Sequence, residues 1–373
     1  MAFAYTPGLR VADVAIVRKE RRLPLKGRVL VKVGDEVDSE TVVAKTELPG
    51  NVKMINLANI LGVPAADIPP LLFKKEGDPI EENETIAQSR GMFGLFRNTV
   101  RSPIKGSFET FNRITGQAVL REPPMPVTID AYTKGRIVEI LTDEGVVVET
   151  RATFVQGIFG IGGETRGIVK TAVRGPEQEL TPELIDESCR GKILLGGCFV
   201  SQQALRKAVS AGVKGVVVGG FDDRDLKEFL GFDLGVAITG HENKGITLVL
   251  TEGFGRMNMA RGTFDLLASR EGLLASINGA TQIRAGVIRP EVVIPVGQDI
   301  QGKPPSREQG ALDIGSPVRV IRAPYFGRLG RVTALPPELQ LLETEARVRI
   351  LEVEFADSSR SIVPRANVEL IEE

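Results

Sequence analysis

Apolar and polar residues alternate with a period of two at both ends of this chain, and solid apolar runs occupy the middle. At the C-terminal end Val318 and Val320 flank Arg319, and Arg347-Val348-Arg349-Ile350-Leu351-Glu352-Val353-Glu354-Phe355 alternates over nine residues. Such patterns predict strands with one apolar face. Ala356-Asp357-Ser358-Ser359 reads as a turn, and Ser361–Pro364 and Val368–Ile371 close the sheet.

The first 150 residues also read as short strands, with an internal duplication. Val33-Gly34-Asp35-Glu36-Val37 before Thr41-Val42-Val43-Ala44 resembles Glu76-Gly77-Asp78-Pro79-Ile80 before Thr85-Ile86-Ala87. Each Gly-Asp predicts a tight turn and each apolar run a strand. Lys26-Gly27, Lys105-Gly106 and Lys134-Gly135 form a second recurring unit, each preceding a strand. Between the Gly-Asp units, residues 51–70 read as a helical insertion, where Val52, Ile55, Leu57, Ile60 and Leu61 suggest a short helix or two ending near Gly62-Val63-Pro64. Gly91-Met92-Phe93-Gly94-Leu95-Phe96 reads as a buried apolar connector.

Residues 151–300 change character. Lys192-Ile193-Leu194-Leu195 and Gly215-Val216-Val217-Val218 are buried strands, and Gln202–Ala211 between them has helical spacing with Ser201 as its cap. That is a β-α-β unit with parallel pairing. A short helix follows at Asp223–Leu230, then strands at Gly235–Thr239 and Ile246–Leu250 and a helix at Met257–Leu267. Residues 301–312 are polar and proline-containing and read as a linker. The predicted architecture is multidomain and β-rich plus α/β. A β domain spans 1–150, a small α/β layer 151–300 and a C-terminal β-barrel 313–373.

Two family resemblances attach to these segments. Gly315-Ser316-Pro317-Val318-Arg319-Val320 and Pro324-Tyr325-Phe326-Gly327-Arg328-Leu329-Gly330-Arg331-Val332 resemble the KOW module, the SH3-like barrel of NusG-type elongation factors and several ribosomal proteins. That resemblance implies binding to RNA, ribosome or RNA polymerase without chemistry. The Gly-Asp units, with Ser102-Pro103-Ile104-Lys105-Gly106, resemble the biotinyl/lipoyl-like hammerhead, or barrel-sandwich hybrid. Residues 23–44 also resemble the hammerhead of the RnfC electron-transport subunit. The order of modules resembles that of bacterial KOW-domain proteins with a hammerhead-like N-terminus.

Composition narrows the options. At 373 residues there is room for about two to four domains. A net charge of −1 argues against coating nucleic acid by bulk charge. Forty-one glycines and 22 prolines suit short strands joined by tight turns. The two cysteines, Cys189 and Cys198, make neither a disulfide framework nor a metal motif, which weakens the electron-transport reading. No apolar run approaches the ~20 residues of a membrane span, and a cytoplasmic protein is expected.

Candidate sites are few. Arg319, Arg322, Arg328 and Arg331 fall within thirteen residues that lack Asp and Glu, with Tyr325 and Phe326 between them. Arginines interleaved with aromatics suit phosphate pairing and base stacking. Over 313–373, however, eight arginines face ten acidic residues, a net charge of −2, so a protein partner rivals RNA. Gly160, Gly162 and Gly163 could cradle an anion, but Thr165–Val173 reads as a strand rather than the helix a dinucleotide loop needs. A tight turn between domains is the favoured reading. Lys45 and Lys53 lack the flanking Met pair of biotinyl lysines, so no cofactor is expected, and His241 reads as a turn residue rather than a metal ligand or base. No catalytic set emerges. The expected function is a non-enzymatic adaptor. The alternatives are a small-anion-binding α/β protein or enzyme with docking barrels, and an accessory subunit of an electron-transport complex.

Overall fold

A computed structural model describes residues 9–89, 97–231, 240, 242, 244–282, 288–298, 300, 312–320, 324–325, 328–336, 339–341, 347–355 and 357–370. The chain is β-rich, with several sheets. Its largest sheet is built on four parallel neighbours, Glu164–Thr171, Lys192–Leu195, Gly215–Phe221 and Thr247–Phe254. Gly215–Phe221 is buried at every position, as expected of a strand covered on both faces. Ser201 caps the helix Gln202–Ser210 by accepting from Ala204 N at 3.2 Å, and Ala204, Leu205 and Ala208 pack that helix on the sheet. Asp222 caps Asp223–Leu230 in the same way, and Gly231 ends it in the left-handed region, at φ 81°. Helix Arg261–Ala268 buries Phe264 and Leu267, starting later than the spacing from Met257 suggests. The strand expected at Gly235–Thr239 lies outside the described residues, as do Gly91–Phe96 and His241.

The parallel run continues into antiparallel strands Leu274–Asn278, Glu291–Pro295 and Gly145–Gln156. After the last of these the chain turns at Gly157. Gly157 N donates to Pro290 O on one flank and Ile158 N to Leu250 O on the other, both at 2.8 Å. Strand Phe159–Ile161 then pairs with Thr247–Phe254, so the sheet curls into a half-barrel whose flanks meet at this seam. A Cβ on Gly157 would collide with the Leu250 carbonyl, which explains glycine there. The boundary expected at residue 150 falls inside strand Gly145–Gln156, which also pairs with Val11–Arg22.

The duplication before it is real, and it is nested. In the first copy Lys32 N donates to Asp35 Oδ2 at 2.8 Å and Gly34 takes φ 97°. In the second, Lys75 N donates to Asp78 Oδ2 at 2.7 Å and Gly77 takes φ 88°. Gly34 N donates to Ile137 O as Gly77 N does to Phe108 O, each at 2.8 Å. The first copy leaves its sheet at Leu48 and resumes at Met125, its antiparallel partner in that sheet. Residues 51–121 form the second copy between those points, with a core of their own that includes Leu57, Ile68, Ile80, Phe108 and Leu120. The first copy keeps a separate core around Val43, Ile137 and Val148. The helical insertion is a misreading in part. Val52–Asn56 is a strand paired with Gln117–Arg121, and only Leu57–Leu61 is α-helical, capped by Asn56.

The C-terminal segment is an all-antiparallel six-stranded sheet. Pro317–Val320 lies between Leu329–Ala334 and Val368–Leu370, and Arg347–Phe355 pairs with Leu329–Ala334, Leu339–Leu341 and Arg360–Pro364. Val318, Val320, Val332, Leu351, Val353, Phe355, Val363 and Val368 form its core, the side predicted by their alternation.

Candidate partner-binding face of the C-terminal sheet

Strand Leu329–Ala334 places Arg328, just before it, at the end of the sheet beside the last residue of the Arg347–Phe355 strand. The Arg328 guanidinium lies 3.8 Å from the Phe355 ring centroid and 6.0 Å from that of Tyr325. Tyr325 and Phe355 are tilted against each other at 5.5 Å. Arg328 Nη2 also donates to Asp357 Oδ2 at 2.7 Å and to Ser359 Oγ at 3.3 Å. The Asp357 carboxyl is held below the ordinary carboxylate range, chiefly by hydrogen bonds from the Ser359 hydroxyl and amide and then by the nearby Arg328 charge. Arg328 is thus stacked, ion-paired and still 38 % exposed at its side chain. A guanidinium fixed on an aromatic ring presents its free edge to a phosphate, a carboxylate or a planar base at little further entropic cost.

Arg331 is exposed on the same strand, and its Nη1 donates to Gly315 O at 3.2 Å. Across the sheet it stands opposite Glu354, which pairs with Arg360 at 2.7 Å. Arg322 and Phe326 lie outside the described residues.

Arg319 departs from the exposed edge read from the sequence. It is only 1 % exposed, and its Nη2 pairs with Glu252 Oε2 on the Thr247–Phe254 strand of the half-barrel. Glu252 is 3 % exposed, and its other oxygen accepts from Ala260 N at 3.0 Å, at the start of helix Arg261–Ala268. The outer face of the Pro317–Val320 strand is therefore an internal contact with the half-barrel and not a docking surface.

Sequence reasoning missed three participants. Phe355 and Asp357 complete the Arg328 cluster, and the cue was the long alternating strand ending in an aromatic just before the Asp357 turn. Glu252 had a clearer cue, a carboxylate within the apolar run Leu248-Val249-Leu250-Thr251, since buried acids need a partner.

The glycine cluster does cradle an anion, but one of its own. Gly162 N and Gly240 N donate to Glu242 Oε2 at 3.3 and 2.7 Å, and Gly160 N donates to Thr281 Oγ1 at 2.9 Å. Gly162 and Gly163 line a polar pocket of about 250 Å³ with Lys214, Glu242 and Thr247, while Gly160 sits in strand Phe159–Ile161. A strand, Glu164–Thr171, follows the loop, in keeping with the turn reading. Lys45 and Lys53 are exposed in mid-strand rather than at hairpin tips. Among the described residues, no group of three or more His, Cys, Asp or Glu could hold a metal ion, and no helix is long and apolar enough to cross a membrane. No family model matches this sequence, and no curated protein matches it either.

Proposed function

We propose that the protein is a non-enzymatic adaptor whose C-terminal barrel, an SH3-like module of the KOW type, docks on an RNA-bearing partner such as a ribosome or RNA polymerase. The stacked Arg328 on Phe355, with Tyr325 beside it and Arg331 exposed on the same strand, carries this reading. Phosphate pairing and base stacking use those groups together. The nested copies, each with a Gly-Asp turn and its own core, are consistent with hammerhead-like scaffolds that space the barrel from the rest of an assembly. The buried Arg319–Glu252 pair joins the C-terminal module to the half-barrel. Small-anion chemistry at the glycine cluster gains no support, because Glu242 already takes the amide hydrogens a phosphate would need.

Purification from cells at moderate salt, with and without nuclease, tests the proposal. Ribosomal or polymerase subunits or RNA should co-purify, and replacing Arg322 and Arg328 together should weaken capture and flatten its salt dependence. A clean protein without partners would refute the adaptor role. An unchanged salt slope would remove the arginines from it.

A further inference from the structure

Strand Glu164–Thr171 carries Lys170 onto the short 3-10 turn Glu187–Cys189. Lys170 Nζ lies 3.5 Å from Cys189 Sγ, 2.5 Å from Ser188 Oγ and 3.8 Å from Asp186 Oδ1. Asp186 Oδ1 is in turn 3.7 Å from Cys189 Sγ, and it caps the turn by accepting from Ser188 N at 2.9 Å. The thiol is fully buried, while the lysine side chain remains 25 % exposed. Both groups are held by backbone structure. Lys170 is paired to Leu194 in the sheet, and Cys189 ends the capped turn. An amine and a thiol are thus kept almost in contact, with a carboxylate at hand to take up protons.

We propose that Lys170 and Cys189 are an oxidative modification site, joined by a single oxygen atom in an N–O–S crosslink when the protein meets hydrogen peroxide. The steps balance. The sulfur electron pair attacks one peroxide, the O–O bond breaks, and a sulfenic acid and water result. The Lys170 amine, having lost a proton, attacks a second peroxide in the same way and becomes a hydroxylamine with release of water. The hydroxylamine oxygen then displaces hydroxide from the sulfenic sulfur, forming the S–O bond and a third water. Sulfur and nitrogen each give up two electrons, and each peroxide accepts two. The crosslink ties the connection that runs from Thr171 to Cys189 onto the strand it leaves.

The test is intact-mass analysis and tryptic mapping of the full-length protein after mild peroxide. The crosslink adds one oxygen and removes two hydrogens, a gain of about 14 Da that reduction with a thiol reverses, in contrast to the irreversible higher oxides of cysteine. Tryptic cleavage after Lys170 should be lost, and a branched peptide containing Lys170 and Cys189 should appear. Cys198→Ser should leave this outcome intact. Lys170→Arg keeps the positive charge and should abolish it. A gain of about 16 or 32 Da on Cys189 with normal cleavage after Lys170 would mean simple thiol oxidation and would overturn the proposal. So would an unmodified Cys189, or the same 14 Da gain in Lys170→Arg.

Discussion

Arg319 and Glu252 form a buried ion pair that joins the C-terminal sheet to the half-barrel, with side chains 1 % and 3 % exposed. Removing one partner strands the other's charge in a site water does not reach. Arg319→Ala or Glu252→Gln should each cost about 3–5 kcal/mol in urea unfolding. Replacing both with apolar residues of similar volume, Arg319→Met with Glu252→Leu, should restore most of it. Single losses of less than about 1 kcal/mol, the scale of exposed pairs, would show that the site is hydrated.

Residues 51–121 should fold as an isolated fragment. Their core is separate, and the connection to the first copy is a narrow neck. There Glu122 N donates to Asn51 O at 3.0 Å, Asn51 Nδ2 donates to Glu122 Oε2 at 2.8 Å, and Gly50 packs against the Glu122 carbonyl. A dispersed amide spectrum and cooperative thermal unfolding of the fragment are expected. Random-coil shifts would mean that the copies stabilise each other across the neck.

The recurring Lys-Gly dipeptide has one physical reason, and it separates two kinds of glycine. A Cβ on Gly27, Gly106 or Gly135 would collide with the carbonyl oxygen of Lys45, Arg121 or Glu149 respectively. Gly77 has φ 88° and nothing within 4 Å of a built Cβ. Gly77→Ala should therefore cost only the left-handed penalty, about 1–2 kcal/mol. Gly106→Ala must also push a paired strand aside and should cost at least about 3 kcal/mol. Equal losses in denaturant titrations would contradict this account.

Legibility in the sequence tracked the range of the interaction. The Gly-Asp turns, the Ser201 cap and the alternation of the C-terminal strands are local, and they stand where the spacing places them. The nesting of one copy inside the other rests on the pairing of Leu48 with Met125, which no local pattern announces. Val52 and Ile55 fit a helical spacing as well as a strand, and pairing with Gln117–Arg121 decides for the strand. Arg319 shows the sharpest limit. Alternation with Val318 and Val320 correctly turns it away from the core of the C-terminal sheet, but facing outward meant facing another sheet rather than water. Phe355 escaped notice as part of the candidate face because its closeness to Arg328 needs the cross-strand register that pairs it with Gly330.

Acid should loosen the Arg328 cluster, with a sign set by Asp357. The Ser359 hydrogen bonds and, less strongly, Arg328 depress its carboxyl in the folded state. A depressed carboxyl contributes stability above its unfolded value, about 3.9, and loses that contribution as pH falls through the lower folded value. Carboxyl carbon NMR should place the Asp357 midpoint below the ordinary range. Ser359→Ala removes the hydroxyl but keeps the backbone amide donor, and should raise the midpoint part of the way. Arg328→Gln removes both the nearby charge and a hydrogen bond to the carboxylate and should raise it as well. An Asp357 that titrates at its ordinary value would mean that Ser359 does not hold it, and the guanidinium on Phe355 would then lack its anchor.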